Sequence, residues 1–475
     1  MLNQPDTPLN APADQLGSAV TRRIATFAAR LKWQDLPHEV VAKLKLHILD
    51  TIGCGLFGAT REWTALLRNT SRRFDRDERC VLWGTRYRSS GPIAALVNGT
   101  AAHGYELDDM HVRGVIHPGP PCIPPALAAA RYAEGPIAGR DFLVAVAAGY
   151  EVSVRIAACM GVPHLLKGWH PTGTSGVFGA AAAAGAILGL DGDAMQHALG
   201  VAGPHAGGLI AAQYGGMVKR LYVGHAAQSG LVSAFLAKDG FKGIANVLEA
   251  PYGGYVRTFD GRGDPAEIVD GLGERYELLN TGFKRYPTAG AIHAGVDALE
   301  QILDERRLSA DDVTSITAYV SRSTKEHCGW PYEPNGATGA QMNLAFALAS
   351  RFLRGRLFVA EFEHEQLAAP DLLALVKKVH VEVARDLDEL GEASRYSTRV
   401  VIRTRSGREH SAVVHHPKGT VANPFTPAEV EAKFRQLASV VLPAAQIENI
   451  VQRVRSLEDI DDIALLEREL ATQDR

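Results

Sequence analysis

Between His103 and His117 the chain carries its densest group of titratable side chains: His103, Glu106, Asp108, Asp109, His111, Arg113 and His117, the last followed by Pro118-Gly119. On a helix, His103 and Glu106 would lie three residues apart, as would Glu106 and Asp109, so one face would present an imidazole with two carboxylates. A neutral imidazole beside a carboxylate can move protons near pH 7, and the group reads as an acid–base site. A solvated charged loop after a helix is the plainer alternative. A metal centre is not expected, because no HExxH or comparable ligand spacing occurs.

A second group, Gly168-Trp169-His170-Pro171-Thr172-Gly173-Thr174-Ser175-Gly176, runs straight into an Ala-rich stretch. A helix start with free N–H groups, and glycines that allow close approach, can hold a carboxylate or phosphate. The segment lacks the Gly-Lys-Ser/Thr of a P-loop and the GxSxG of a nucleophile elbow. Tight packing is the competing explanation, and His170 tilts the balance toward a site. Lys219, within 216–224, and Lys284, within 280–287, are cations in small or apolar surroundings that could each face a substrate carboxylate. Either could equally be an ordinary surface lysine. Lys284 gains weight from its place at the expected start of a second domain, since interdomain clefts favour ligands.

The elements that must position these residues are mostly helical from 16 to 272, with Val20, Ile24, Phe27 and Leu31 on one face and similar patterns at 38–53, 92–103, 141–156 and 225–239. Alternating β-branched runs then predict strands at 314–321, 379–384, 399–404 and 409–415, with Ser406-Gly407 turning the last pair. A capping box at Thr426-Pro427-Ala428-Glu429 restarts helix. The expected class is mainly α: a tail at 1–14, a large helical domain over 15–278, a smaller α+β domain at 279–420, and C-terminal helices at 421–475 that rejoin the helical domain.

The 475 residues, 46% hydrophobic and 22% charged, suit a folded multidomain chain, and the net charge of −3 offers no general attraction to nucleic acid or anionic membrane. The segment 171–190 approaches membrane-span length but is built of Gly and Ala, which predicts a close-packed buried helix. Five scattered cysteines without CxxC pairs argue for a reducing cytoplasm and against zinc or iron–sulfur sites, so no cofactor is expected.

Several segments, taken in order, resemble the MmgE/PrpD family, which includes 2-methylcitrate dehydratase, cis-aconitate decarboxylase and iminodisuccinate epimerase. They are Leu46 to Gly53, Ala95 to Gly99, Asp108-Asp109 with His117-Pro118, Gly149 to Ile156, Trp169 to Gly173, Lys219 in its setting, Gly282 to Pro287, and Pro417-Lys418-Gly419. The resemblance implies a homodimer and cofactor-independent proton transfer beside a carboxylate of a small polycarboxylate. It implies Lys219 and Lys284 as carboxylate holders, His117 as proton carrier with His170 as the other candidate, and Asp109 as the group that orients it. Asp108, Glu106, His103, Thr172, Gly173 and Tyr332 would line the substrate. Glu106 and Met110 depart from the expected Asp and hydroxyl residue, and Arg113 or His111 could supply replacement contacts. Dehydration is the leading expectation; decarboxylation, epimerisation and non-catalytic carboxylate binding are the alternatives.

Overall fold

The computed structural model describes residues 20–259, 263–391 and 394–472; the tail expected at 1–14 lies outside them. Helix Pro171–Ile187 runs through the middle of the helical body, packed against Gly119–Ala130, Gly139–Leu166 and Val218–Lys238. Its small residues allow this. A Cβ on Gly179 would stand 2.7 Å from the Gly149 carbonyl oxygen, and one on Gly149 would stand 2.9 Å from that of Gly179. The two backbones therefore meet where only hydrogen fits. Gly139–Leu166 is long and apolar enough to cross a bilayer, yet 94% of its most apolar window is packed inside the protein.

Four strands form a mixed sheet in the order Val379–Val383, Val313–Val320, Thr398–Thr404 and Glu409–Val414, the first pair parallel and the others antiparallel. Each lies within one residue of its alternating β-branched run. Gly407, at φ 81°, supplies the left-handed turn between the last two. Helices Gly290–Glu305 and Leu344–Arg354 pack on this sheet, and Ile292, Leu299, Leu348, Ile316 and Ile402 build a second core there.

The chain then returns to the helical body. The Thr426 hydroxyl accepts the Glu429 N–H at 3.2 Å, and the Glu429 carboxylate accepts the Thr426 N–H at 2.7 Å, which starts helix Pro427–Ala438. That helix packs along His38–Gly58, where the missing side chain of Gly53 admits the fully buried Phe434. Burying such a ring contributes about 1.5–3 kcal/mol.

Two short contacts aim the chain at the site. Met110–His111 pairs antiparallel with Thr281–Gly282, which sets the acidic loop beside Lys284. Gly282 in turn lies against the Gly419 carbonyl, 2.4 Å from where a Cβ would stand.

Candidate active site

Residues 103–109 form a loop, so the single helical face that would present His103, Glu106 and Asp109 together does not exist. Helix Gly91–Ala102 ends at His103, the chain turns, and Glu106 takes φ 55°. A residue with a Cβ enters that left-handed region at a cost of about 1–3 kcal/mol. Because the loop reverses, its three acids point to three different sets of partners.

Glu106 turns inward onto three cations. Lys219 and Arg220 bind one carboxylate oxygen, and Lys284 Nζ binds the other at 2.9 Å. Burial works against its charge, but Lys219, Lys284 and Arg220 outweigh burial and hold the Glu106 carboxyl well below the usual range. Arg220 is fixed from its other side by Gln341 Oε1 at 2.6 Å. Burial pulls the Lys219 ammonium down to about 8, against the pull of Glu106.

Asp109 is held as an anion. Its Oδ1 accepts the Gly119 N–H at 3.1 Å, and its Oδ2 accepts the Tyr150 hydroxyl at 2.7 Å and lies 3.1 Å from His47 Nδ1. Burial raises its pKa, and contacts with His47, Tyr150 and Gly119 more than reverse that. Asp108 is different: burial pushes its carboxyl up, with His117 and Lys284 opposing. One Asp108 oxygen meets His103 Nδ1 at 2.7 Å, and the other has Lys284 Nζ at 4.0 Å.

Hydrogen bonds assign the histidine tautomers. His117 Nδ1 lies 2.6 Å from the Asp109 carbonyl, to which it must donate, so Nε2 is the unprotonated nitrogen. His170, at the N-cap of Pro171–Ile187, accepts the Gly173 N–H at Nδ1 (3.3 Å), so its Nε2 carries the hydrogen. Burial, reinforced by Lys284, pulls His117 down to about 4. Burial and Lys219 pull His170 well below its ordinary value. Between them His103 sits with ring centres 5.2 Å from His117 and 5.4 Å from His170.

A cavity opens onto these groups. Its lining mixes Glu106, His111, His117, His170, Thr172, Lys219, His327 and Tyr396 with apolar Met110, Ile116, Leu165, Ile210 and Met342. An apolar groove beyond Phe283 is larger, about 690 Å3, but none of His103, Glu106, Asp108, Asp109, His117, His170, Lys219 and Lys284 lines it. Among the described residues no three His, Cys, Asp or Glu are grouped to hold a metal ion.

The structure thus gathers His103, Glu106, Asp108, Asp109, His117, His170, Lys219 and Lys284. It corrects other expectations. Lys284 is fully buried, bound to Glu106 and 4.0 Å from Asp108, and is not among the residues that border the cavity. Arg113 points to solvent and pairs with Glu267 at 2.7 Å. Tyr332 donates to the Leu367 carbonyl at 2.9 Å and, half-buried, packs on Phe346 against the second core. Gly173 serves packing, since a Cβ there would lie 2.3 Å from the Gly207 carbonyl oxygen. Its N–H is already taken by His170, so the helix start offers less than an uncapped one. His111 borders the cavity, but Nδ1 accepts the Gly114 N–H at 3.0 Å and Nε2 faces Glu277 at 3.5 Å.

Sequence reading missed His47, Tyr150, Arg220, His327 and Tyr396. His327 and Tyr396 border the cavity. Arg220 stands next to Lys219 and was the most visible of them; His47 and Tyr150 lie on buried helix faces, where they read as core.

Comparisons with known proteins agree with this architecture. Residues 22–266 match the MmgE/PrpD N-terminal domain and residues 286–459 the C-terminal domain. The chain is 33% identical over 466 residues to the cis-aconitate decarboxylase-like protein oryM of Aspergillus oryzae, covering 94% of this chain and 96% of that one. It is 31% identical to the cis-aconitate decarboxylase of Aspergillus terreus over 94% of this chain and 95% of that one, and 28% identical to the human cis-aconitate decarboxylase over 94% of each. The chain belongs to the MmgE/PrpD family.

Proposed function

We propose that the protein is a lyase that decarboxylates a small polycarboxylate, rather than the dehydratase the sequence first suggested. The observation that carries this reading is one cavity bordered by the Lys219 ammonium, by His117 with its Nε2 unprotonated, and by apolar Met110, Ile116, Leu165 and Ile210. In this reading Lys219 holds one carboxylate, and the carboxylate that departs lies against the apolar side chains of the lining. Charge that is concentrated there in the ground state spreads as the carbon–carbon bond breaks and carbon dioxide departs neutral. The bonding electron pair stays on the carbon, and conjugation with the neighbouring unsaturated or carboxylate-bearing carbon delocalises it beside Lys219.

A proton then completes the product. The free Nε2 of His117 faces the cavity, and the anionic substrate beside it raises the affinity of that nitrogen for a proton. His117 takes the proton from solvent and delivers it to the carbon, while His170 Nε2–H orients the carboxylate. Asp109, through its carbonyl, fixes the His117 tautomer. The names of the similar decarboxylases support the same choice of bond.

A panel of two- to seven-carbon di- and tricarboxylates, incubated in D2O and followed by carbon-13 NMR, tests the proposal. Carbon dioxide release with one deuterium in the product is the expected result. Water loss without carbon dioxide would return the dehydratase reading.

A further inference from the structure

Resting on the polycarboxylate reading above, we propose that His327 is a substrate-binding residue, whose ring N–H holds the same carboxylate as the Lys219 ammonium. His327 borders the cavity, and the protein leaves its ring uncommitted. The other histidines of the lining, His111, His117 and His170, each bond the backbone through Nδ1. His327 is half-buried and makes no hydrogen bond to any described residue. A polar ring withdrawn from water without a protein partner is one whose partner arrives with the ligand.

The ring is held in place by its neighbours in the chain. It lies on helix Arg322–Cys328, which starts at Ser321; the Ser321 Oγ accepts the Thr324 N–H at 3.2 Å and donates to the Arg395 carbonyl at 2.8 Å. Thr324 Oγ1 donates to the same carbonyl at 3.3 Å. The residue after His327, Cys328, is fully buried in the second core. The helix is thus pinned at both ends before any ligand enters, which keeps the cost of ordering the ring low.

Electrostatics connects the ring to Lys219. Burial pulls the His327 imidazole down to about 4, and of the charges that act on it the Lys219 ammonium, pulling the same way, is the strongest. The ring is therefore neutral at pH 7, with one N–H and one lone pair. Glu106, the next strongest charge, is bound by Lys219, Arg220 and Lys284 and makes no bond to His327. A lysine attracts a carboxylate as a point charge on a flexible stem and does little to fix its plane. A neutral N–H on the second oxygen fixes that plane without adding a second cation beside the first, and so orients the carbon–carbon bond that is to break.

The test measures binding of maleate, citraconate, cis-aconitate and citrate by calorimetry on the full chain at pH 7, and kcat and KM for whichever of them is turned over. For the member bound most tightly by the unaltered protein, His327→Leu should bind about tenfold or more weakly, the loss of a hydrogen bond to a charged group. His327→Gln or His327→Asn, which keep an N–H donor, should recover part of that loss. Without ligand, His327→Leu should melt within about 2 °C of the unaltered protein, since no hydrogen bond within the protein is lost. Should His327→Leu not fold, His327→Phe, which keeps a ring and lacks both nitrogens, takes its place. Unchanged affinity in the variant without nitrogens overturns the inference, and so does a loss that neither amide recovers. Weakened binding in that variant, with no carbon dioxide released by the unaltered protein, defeats the decarboxylase reading alone. Carbon dioxide release with KM unchanged in that variant defeats this inference alone, and failure of all four anions to bind defeats both.

Discussion

On the proposed function, Lys219 should give the reaction an alkaline limit. Burial lowers its ammonium from the ordinary lysine value to about 8, so the charge that anchors the substrate carboxylate is lost over a range in which an exposed lysine stays protonated. Because kcat/KM reports the free enzyme, it should be flat toward neutral pH and fall tenfold per unit above about 8, leaving about one-tenth at pH 9. The limb in kcat should lie higher, because a bound carboxylate favours the ammonium. Unfolding would not imitate this. A lysine whose folded pKa lies below its unfolded one makes the native state more stable, not less, as pH rises between the two values, so melting followed alongside should show no loss from this group. Lys219→Met should lower kcat/KM by about 2–5 kcal/mol, ~30- to 5,000-fold, since it removes one partner of a buried charged contact. Lys219→Arg keeps its charge at all accessible pH and should move the alkaline limb out of range, although its plateau will be lower because the guanidinium fork fits differently. A Lys219→Arg enzyme that still loses activity around pH 8 would show that another group sets the limb and that Lys219 does not anchor the substrate.

His117→Gln should reduce kcat by ~10²–10⁴-fold with a smaller change in KM, and in D2O should lose the stereochemical preference of deuterium entry, read by NMR. Lys433→Met should destabilise the protein by about 3–5 kcal/mol at pH 7, because it leaves the buried Asp50, 2.7 Å from Lys433 Nζ, without its cation. Burial already raises Asp50 to about 6, so the deficit should shrink as pH falls and that carboxyl takes a proton, and Asp50→Asn should recover much of it in urea melts. Tyr332→Phe should cost about 1 kcal/mol of stability for the lost bond to the Leu367 carbonyl, and leave kcat/KM within about twofold. Arg113→Ala should leave kcat/KM unchanged on the same scale, its partner Glu267 being at the surface.

Periodicity made the strands and the long helices legible, because Val313–Val320 or His38–Gly58 displays its buried face in the order of its own residues. The loop at 103–109 was misread for the same reason. Its spacing fits a helix, but Glu106 is drawn inward by cations more than a hundred positions away, and no local pattern encodes that pull. Asp109 was found, while its partners His47 and Tyr150 were not, since a histidine and a tyrosine among leucines and isoleucines look like filling until a carboxylate is placed beside them. Lys433 was equally silent: helix Pro427–Ala438 reads as amphipathic, and only its packing on His38–Gly58 brings the ammonium to Asp50.

The acid at position 106 shows how the reading of its neighbours changes between sequence and structure. Read in sequence, Lys219 and Lys284 are two hands for substrate carboxylates, and Glu106 is a third lining group that alters which substrate oxygens are satisfied. In three dimensions the order is reversed. The carboxylate of Glu106 reaches Lys284 at 2.9 Å and also takes Lys219 and Arg220, and of these three cations only Lys219 borders the cavity. In the proposed reading, the one ammonium that borders the cavity holds one carboxylate and another lies against apolar lining. That imbalance would favour expelling the second group as neutral carbon dioxide over assisting a leaving hydroxide, which would need an acid beside the apolar lining. Supplying such an acid there, for example as Ile210→Glu, should therefore slow carbon dioxide release by rehydrating and protonating the reacting end, and carbon dioxide release unaffected by that change would separate the chemistry from the polarity of the cavity.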